Sequence, residues 1–120
     1  MDTRVFDVQH QPVRHNPEDG VDSTILAYSD NLMLMKWNFA HKGYVIPMHR
    51  HEHEQLTTIL KGSMRVTLPD GSVQEFHAGD ALCFAPNEEH GLVILEDDTV
   101  AMDVFSPMRA DHLARHSLPR

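Results

Sequence analysis

The segment His49-Arg50-His51-Glu52-His53-Glu54-Gln55 decides how this chain of 120 residues is interpreted. Side chains of an extended segment alternate between two faces, so every second residue points the same way. His49 and His51 can therefore present two imidazole nitrogens to one point, and Gln55 can add a neutral oxygen. Imidazole is a common ligand of divalent transition metals in proteins. The spacing predicts a metal site built on a strand.

The composition is that of an ordinary soluble globular domain with an acidic balance. Hydrophobic residues make up 41% of the chain and charged residues 23%, and the net charge is -8 with neutral histidine. This charge disfavours nucleic acid and anionic membrane surfaces as partners. A small anionic substrate remains compatible, because a bound metal and a single arginine can set the local field whatever the net charge.

Cysteine use and the start of the chain favour a cytoplasmic protein. Cys83 is the only cysteine, so an internal disulfide is excluded. The first residues mix both charge signs and lack the apolar run of a signal peptide, and no apolar stretch reaches membrane-spanning length. Apart from the segment above and His90, we expect the histidines to be solvated and without function: His10, His15, His41, His77, His112 and His116.

Short alternating runs from residue 31 onward predict an all-β fold. Met33, Met35, Trp37 and Phe39 alternate with other residues along the first of these runs. Turn residues such as Pro69-Asp70-Gly71 separate the later ones. Many short strands joined by tight turns are typical of a sandwich or small barrel. The further strand candidates are residues 44–48, 55–60, 63–68, 72–76, 81–85, 90–95 and 100–105.

The two ends of the chain differ from this pattern. Residues 1–23 contain Pro12, Pro17 and Gly20 and have no sustained period, so we expect an N-terminal arm there. Residues 24–120 then form a single domain. Residues 109–116, which follow Pro107, predict a short C-terminal helix.

Two motifs carry a resemblance to a known family. Gly43-x5-His49-x-His51-x3-Gln55-x6-Gly62 resembles the first cupin motif, with Gln where that motif usually has Glu. Gly79-x6-Pro86-x3-His90 is similar to the second motif, although the usual glycine before the histidine and the asparagine after it are absent. The resemblance implies a cupin fold, a small double-stranded β-helix or jelly-roll barrel, and it makes His90 the further histidine ligand.

Two neighbours of these ligands leave alternatives open. The family places a turn at His53 and no ligand, so we expect His53 beside the site or exposed. Glu54 replaces Gln55 as ligand if the local turn differs from that of the family. The competing interpretation of the whole segment is a solvated histidine-rich edge that binds metal only adventitiously.

A second cluster, Asp103-Val104-Phe105-Ser106-Pro107-Met108-Arg109, ends the predicted barrel. Asp103 and Phe105 share a face of the last strand, and Arg109 could offer a bidentate fork to a carboxylate. Taken singly, the three fit a strand end, a core residue and a surface residue. Together, Asp-x-Phe-x3-Arg resembles the KdgF-type cupins of pectin and alginate catabolism. Those cupins linearise 4,5-unsaturated monouronates to open-chain 4-deoxy-5-keto sugars.

The KdgF-type resemblance implies a complete set of roles. Asp103 transfers protons, Arg109 holds the carboxylate or a hydroxyl of a small anionic sugar, and Phe105 shapes the pocket. The cofactor is a divalent transition metal (Ni, Zn, Mn or Fe), held by His49, His51, Gln55 and His90. Four neutral ligands leave the metal charge undiminished, which favours a Lewis acid.

Two other functions and an assembly state complete the expectations. An iron-dependent cupin dioxygenase would consume oxygen, and a non-catalytic cupin would bind a sugar or small acid without converting it. Because cupin barrels commonly pair through edge strands, the resemblance also implies a homodimer. The strand-like run 32–39 is the candidate for part of that interface.

Overall fold

The computed structural model describes residues 3–120, so the first two residues of the predicted arm lie outside it. All eight strands predicted between residues 32 and 105 form, together with two that precede them. A short 3-10 helix spans Val8–His10. The strands and the α-helix are β1 (Val13–Asn16), β2 (Val21–Tyr28), β3 (Met33–Phe39), β4 (Val45–His49), β5 (Glu54–Lys61), β6 (Ser63–Thr67), β7 (Val73–His77), β8 (Ala81–Phe84), β9 (His90–Ile94), β10 (Thr99–Ser106) and α1 (Ala110–Arg115).

The strands pair into two antiparallel sheets. The larger has the order β1-β2-β3-β10-β5-β8 and the smaller the order β4-β9-β6-β7. Burial alternates along the strands, as it does in β10, where every second residue from Thr99 is buried. The inward residues of both sheets form one core cluster that includes Phe39, Ile59, Val66 and Ile94. Two sheets that bury their facing sides against each other confirm the predicted all-β barrel.

Helix α1 closes one end of the barrel. Leu113 of the helix is buried in a second cluster with Ile25, Met33 and Phe105. Beyond the helix, the Tyr28 hydroxyl donates a hydrogen bond of 2.6 Å to the carbonyl oxygen of Pro119. The predicted short C-terminal helix is therefore present, and it packs on the inner side of β2, β3 and β10.

The N-terminal part differs from the predicted arm. Residues 13–23 belong to the larger sheet, and the boundary expected at residue 23 falls inside β2. Val21, Ser23 and Ile25 are the buried residues at the start of β2. The hydropathy of the sequence does not reveal β2, because one of its buried positions is a serine. It does not reveal β1 either, because the residues of β1 are largely exposed.

Strand β3 does not offer the interface expected of run 32–39. It lies between β2 and β10 and pairs with both, so its backbone groups are already used. The strands at the sheet edges are β1, β8, β4 and β7. The homodimer stays a prediction, and an edge-strand contact would have to use one of these four.

The tight turn between β5 and β6 depends on Gly62. Its φ is +82°, which L side chains rarely adopt, and an added Cβ would lie 3.0 Å from the Cα of Thr99. Glycine at this position therefore lets the turn between β5 and β6 pass close to Thr99, the first residue of β10. Separately, no helix within residues 3–120 is long and apolar enough to cross a membrane.

Candidate metal centre and cavity

An open cavity of about 190 Å³ lies between the two sheets. Most of its wall is apolar, and Trp37, Phe84 and Phe105 supply aromatic rings. This volume is below that of most drug-sized ligand pockets and suits a small molecule rather than a polymer. The polar or ionisable side chains in the wall are His49, Gln55, Thr57, His90, Asp103, Arg109 and His112.

Three of the predicted ligands come together at one side of the cavity. Candidate ligand atoms of His49, His51 and His90 all lie within 4.8 Å of one another. His49 ends β4 and is paired in register with His90, which begins β9. His51 follows two residues after the strand, and its ring centroid is 5.3 Å from that of His90. These three residues, which we call the triad wall, could hold a metal ion.

Hydrogen bonds prepare two of these imidazoles for a metal. His49 Nδ1 lies 2.9 Å from the carbonyl oxygen of Pro47, and His90 Nδ1 lies 3.1 Å from that of Glu88. A carbonyl oxygen only accepts, so Nδ1 carries the proton in both rings and Nε2 keeps its lone pair. Metal-binding histidines commonly show this arrangement.

His51 and Gln55 fit the same centre. His51 Nε2 lies 3.0 Å from Gln55 Oε1. Two ligand atoms each about 2.1 Å from one metal can have this separation. His51 Nδ1 is buried and has no hydrogen-bond partner within residues 3–120. The donor set of three imidazoles and one amide oxygen is one that a divalent transition metal accepts.

The electrostatics favour neutral imidazoles in the triad wall. The pKa of His90 is lowered to about 4, mainly by burial and to a smaller extent by the nearby His49 and His51 rings. Burial is also the main cause of the lowered pKa of His51, followed by the positive charge of Arg109. Because a metal binds the neutral ring, both shifts favour the ligand form at neutral pH.

Glu54 and His53, which neighbour the predicted ligands, lie in different places. Glu54 is exposed and lies on the outer face of β5, whereas Gln55 lines the cavity. Gln55, and not Glu54, therefore faces the triad. The His53 ring lies 5.6 Å from that of His51, so it sits beside the centre. Its Nδ1 is buried and finds no hydrogen-bond partner among residues 3–120.

Asp103 lies at the bottom of a hydrogen-bond network that begins at Gln55. The Gln55 Nε2 group donates to Thr57 Oγ1 at 2.9 Å and to Asp103 Oδ1 at 3.3 Å. The Thr57 hydroxyl donates to the same carboxylate oxygen at 2.6 Å. Both bonds orient the Gln55 amide with its oxygen toward His51. One side chain thus connects the triad wall to a buried carboxylate.

The carboxyl of Asp103 has an unusual acidity. Its side chain is only 8% exposed, and burial raises its pKa to about 6 despite the opposing hydrogen bonds from Thr57 and Gln55. The Trp37 side chain also opposes the rise, although its indole N–H has no partner at standard hydrogen-bond geometry in the described part of the chain. Near neutral pH this group can therefore both lose and regain a proton.

Arg109 lines the cavity with its fork already paired. Its guanidinium carbon lies 5.0 Å from the centre of the Phe105 ring. Its Nε and Nη2 donate to the two carboxylate oxygens of Asp111 at 3.2 and 2.8 Å. This ion pair holds the pKa of Asp111 well below its usual range against the opposing effect of burial. The structure thus places Asp103, Phe105 and Arg109 around one cavity, but the guanidinium of Arg109 is already paired with the carboxylate of Asp111.

Two histidines expected to be solvated are buried. His112 and His116 are 7% and 3% exposed, because α1 turns one face toward the barrel interior. The His112 ring lies 5.5 Å from that of Trp37 and 5.7 Å from that of Phe105. The spacing of His112, Leu113 and His116 on one helix face was a signal that could have indicated this. Arg109 and His112 form what we call the helix wall.

A barrel of two antiparallel sheets, with three histidines facing a small cavity, defines the class of the molecule. The sequence profile of the cupin domain matches residues 35–105, and the chain belongs to the cupin family. The predicted cupin fold is confirmed.

Specific relatives lie within this family. The pectin degradation protein KdgF of Dickeya dadantii (strain 3937) is 40% identical over 96 residues, which cover 79% of this chain and 86% of the relative. The structure of KdgF from Halomonas sp. aligns with a TM-score of 0.83 and 31% identity, covering 93% of this chain and 100% of that one. An RmlC-like cupin from Shewanella frigidimarina aligns with a TM-score of 0.80 and 27% identity over 92% and 96% of the two chains. The predicted resemblance to KdgF-type cupins is confirmed.

Proposed function

We propose that this protein is a metal-dependent isomerase that opens the ring of 4,5-unsaturated monouronates and yields 4-deoxy-5-keto open-chain sugars. The source of the substrate would be pectin or alginate, and pectin degradation is the process named for the relative from Dickeya. One observation carries the proposal. The Gln55 amide, which faces the triad wall through its oxygen, donates through its nitrogen to the buried carboxylate of Asp103.

The residues that would hold the metal are those of the triad wall together with Gln55. The metal would be Ni, Zn, Mn or Fe in its divalent state, and all four ligands are neutral. When bound, it would supply a Lewis acid that stabilises negative charge on an oxygen of the substrate. The neutral amide of Gln55 leaves that charge undiminished, where a glutamate would reduce it.

Ring opening needs one group that accepts and returns a proton. The proton leaves the hydroxyl on carbon 1, the bond from carbon 1 to the ring oxygen breaks, and an aldehyde and a carbon 5 enolate result. Protonation at carbon 4 then gives the ketone at carbon 5. We assign both proton transfers to Asp103, because burial raises its pKa to about 6 and both of its forms are accessible near neutral pH.

Arg109 and Phe105 would bind and orient the sugar. The guanidinium of Arg109 is suited to a substrate carboxylate, which would share it with Asp111 or displace that residue. Phe105 is 1% exposed, and its ring packs against this guanidinium. It would therefore position the guanidinium of Arg109 and exclude water from the cavity. An acidic monosaccharide suits the size and the polar groups of the cavity.

Freshly generated 4,5-unsaturated galacturonate tests the proposal, because its conjugated double bond can be followed by ultraviolet absorbance. Metal-loaded protein, chelated protein and buffer are compared, since the sugar also rearranges slowly by itself. We expect acceleration by the metal-loaded protein alone. A rate equal to that in buffer, with metal shown to be bound, would refute the isomerase. Oxygen consumption with iron would then support a dioxygenase, and binding without conversion a sugar-binding cupin.

Substitution Asp103→Asn tests the proton transfer. The amide keeps the shape of the side chain but cannot exchange a proton, so we expect turnover to fall about 100- to 10,000-fold. Metal content measured by elemental analysis should stay the same. The control is Asp30→Asn, which changes in the same way an exposed carboxylate that does not line the cavity. Undiminished turnover with intact metal would end this assignment.

A further inference from the structure

We infer that His112 is a substrate-contacting residue, whose imidazole hydrogen-bonds a hydroxyl group of the sugar held in the cavity. The inference rests on the proposed function and extends it, because it adds a polar group on the helix wall to the residues that bind the substrate. No motif of the sequence marks this position. Its placement follows from the packing of α1 against the barrel.

The helix presents His112 to the cavity together with Arg109. Arg109 is the residue that precedes α1, and His112 is the third residue of the helix. Both line the cavity, and both contact Phe105, at 5.7 Å between rings for His112 and 5.0 Å for the guanidinium of Arg109. A sugar whose carboxylate reaches Arg109 therefore brings its hydroxyl groups within the reach of His112.

The orientation of α1 is fixed by contacts that do not involve the cavity. His116 Nδ1 donates to the carbonyl oxygen of His112 at 2.7 Å, which leaves Nε2 to accept from the Ser23 hydroxyl at 2.9 Å. Leu113 is 2% exposed in the adjoining cluster. These anchors hold His112 in the cavity wall before any ligand arrives, and such preorganisation lowers the cost of binding.

The surroundings of His112 leave its polar atoms for a ligand. The imidazole ring of His112 packs against two aromatic rings, those of Trp37 and Phe105. Its side chain forms no hydrogen bond to another residue in the described part of the chain. A polar group in an apolar wall gains free energy when a partner is supplied. A sugar hydroxyl, which both donates and accepts, is such a partner.

The protonation state explains why the ligand group is a hydroxyl. Burial and the charge of Arg109 lower the pKa of His112 to about 3. The ring is therefore neutral at physiological pH, with one nitrogen that donates and one that accepts. A neutral imidazole pairs well with a hydroxyl, whereas the carboxylate of the sugar is better paired with Arg109.

Two substitutions separate hydrogen bonding from packing. His112→Phe keeps the aromatic contacts with Trp37 and Phe105 but has no polar atom. His112→Gln keeps an amide near the position of the ring Nε2 but loses the aromatic packing. We expect His112→Phe to lower kcat/KM for unsaturated galacturonate by roughly 3- to 10-fold, while His112→Gln retains most of it. The reverse order, with the phenylalanine variant the more active, would overturn the inference.

Binding of saturated D-galacturonate, measured by calorimetry, separates this inference from the proposed function. If wild-type protein does not convert the unsaturated sugar, the isomerase proposal fails, and binding alone decides the role of His112. Weaker binding to the phenylalanine variant than to the glutamine variant supports it. Equal binding to both, or no binding to wild-type protein, contradicts it.

A measurement on wild-type protein tests the contact without relying on the activity of any variant. The ¹⁵N signals of the His112 ring, assigned by their absence from the glutamine variant, should shift when D-galacturonate is added. Unchanged signals at saturating sugar would overturn the inference. A shift of the exposed His77 signals would indicate a general change of conditions, so that residue serves as the internal control.

Discussion

The triad wall and the helix wall face the same cavity but are held in different ways. In the triad wall, His49 and His90 are each oriented by a carbonyl oxygen only two residues away in the chain. In the helix wall, the orientation of α1 depends on the bond from Ser23 to His116, which are 93 residues apart. The first wall is built by local geometry and the second by the fold as a whole.

This difference teaches which changes each wall tolerates. A local hydrogen bond survives as long as its strand and turn form, so the triad wall needs only the pairing of β4 with β9 in addition to its local bonds. The helix wall is expected to move if either partner of the hydrogen bond between Ser23 and His116 is lost. Damage far from the cavity should therefore alter substrate binding before it alters metal binding.

The largest effect should come from the triad wall itself. His51→Ala removes one of the proposed ligands and leaves the others too few to hold the metal firmly. We expect bound metal, measured by elemental analysis, to be lost and turnover to fall to the rate in buffer. The control His77→Ala removes an exposed histidine of β7 and should keep both. A His51→Ala protein with full metal and wild-type turnover would show that the triad is not the metal centre.

A smaller effect should follow when the helix wall loses its distant anchor. Ser23→Ala leaves Nε2 of the buried His116 without its partner, so we expect the free energy of unfolding in urea to fall by about 1–3 kcal/mol. Metal content should not change, because local bonds hold the triad wall. The control Thr24→Ala changes the next residue of β2, which is partly exposed and points to the other face. Loss of metal in Ser23→Ala would contradict the separation of the two walls.

The smallest effect, counted per pH unit, concerns the stability of the helix wall. The unfolded chain protonates His112 near its ordinary pKa of 6.5, whereas the folded protein does so only near 3. Between these values the unfolded state binds more protons, so stability falls as the pH falls, by at most about 1.4 kcal/mol per pH unit.

His112→Gln lacks this titration and provides the comparison. Urea unfolding of both proteins with a chelator present should show wild-type stability falling faster than that of the variant from pH 6.5 to pH 4. The chelator removes any contribution from metal release, and other buried groups are common to both proteins. Parallel stability curves would mean that His112 is not buried in its neutral form.

The parts of the molecule that the sequence predicts are those held by short-range geometry. The alternation of Asp103 and Phe105 along β10 places both on the inner face, and the spacing of His49 and His51 brings two imidazoles together. Local periodicity is enough for these, since it sets the direction of each side chain without reference to distant residues. The roles of these residues as ligands and proton carriers stay predictions.

The parts that escaped prediction depend on distant partners. Strand β2 presents Ser23 at a buried position, and only the contact with His116 explains a serine there. His112 and His116 look like exposed histidines of a short polar helix until the barrel end that covers them is known. The pairing of Arg109 with Asp111 is an exception, since the two residues are close in sequence. The sequence does not show whether the guanidinium of Arg109 pairs with this carboxylate or with that of a substrate.

Gly62, the last residue of the first cupin motif, has a structural role that differs from that of the histidines. Its positive φ and its contact with Thr99 serve the closing of the barrel, and neither involves the cavity. The motif thus contains a glycine that the turn requires and, separately, side chains that belong to the proposed metal centre. A cupin that kept this glycine and lost the histidines would be expected to keep the turn and to lose the proposed metal centre. In another chain with this motif, the glycine would therefore indicate the barrel fold, and only the histidines would indicate a metal site.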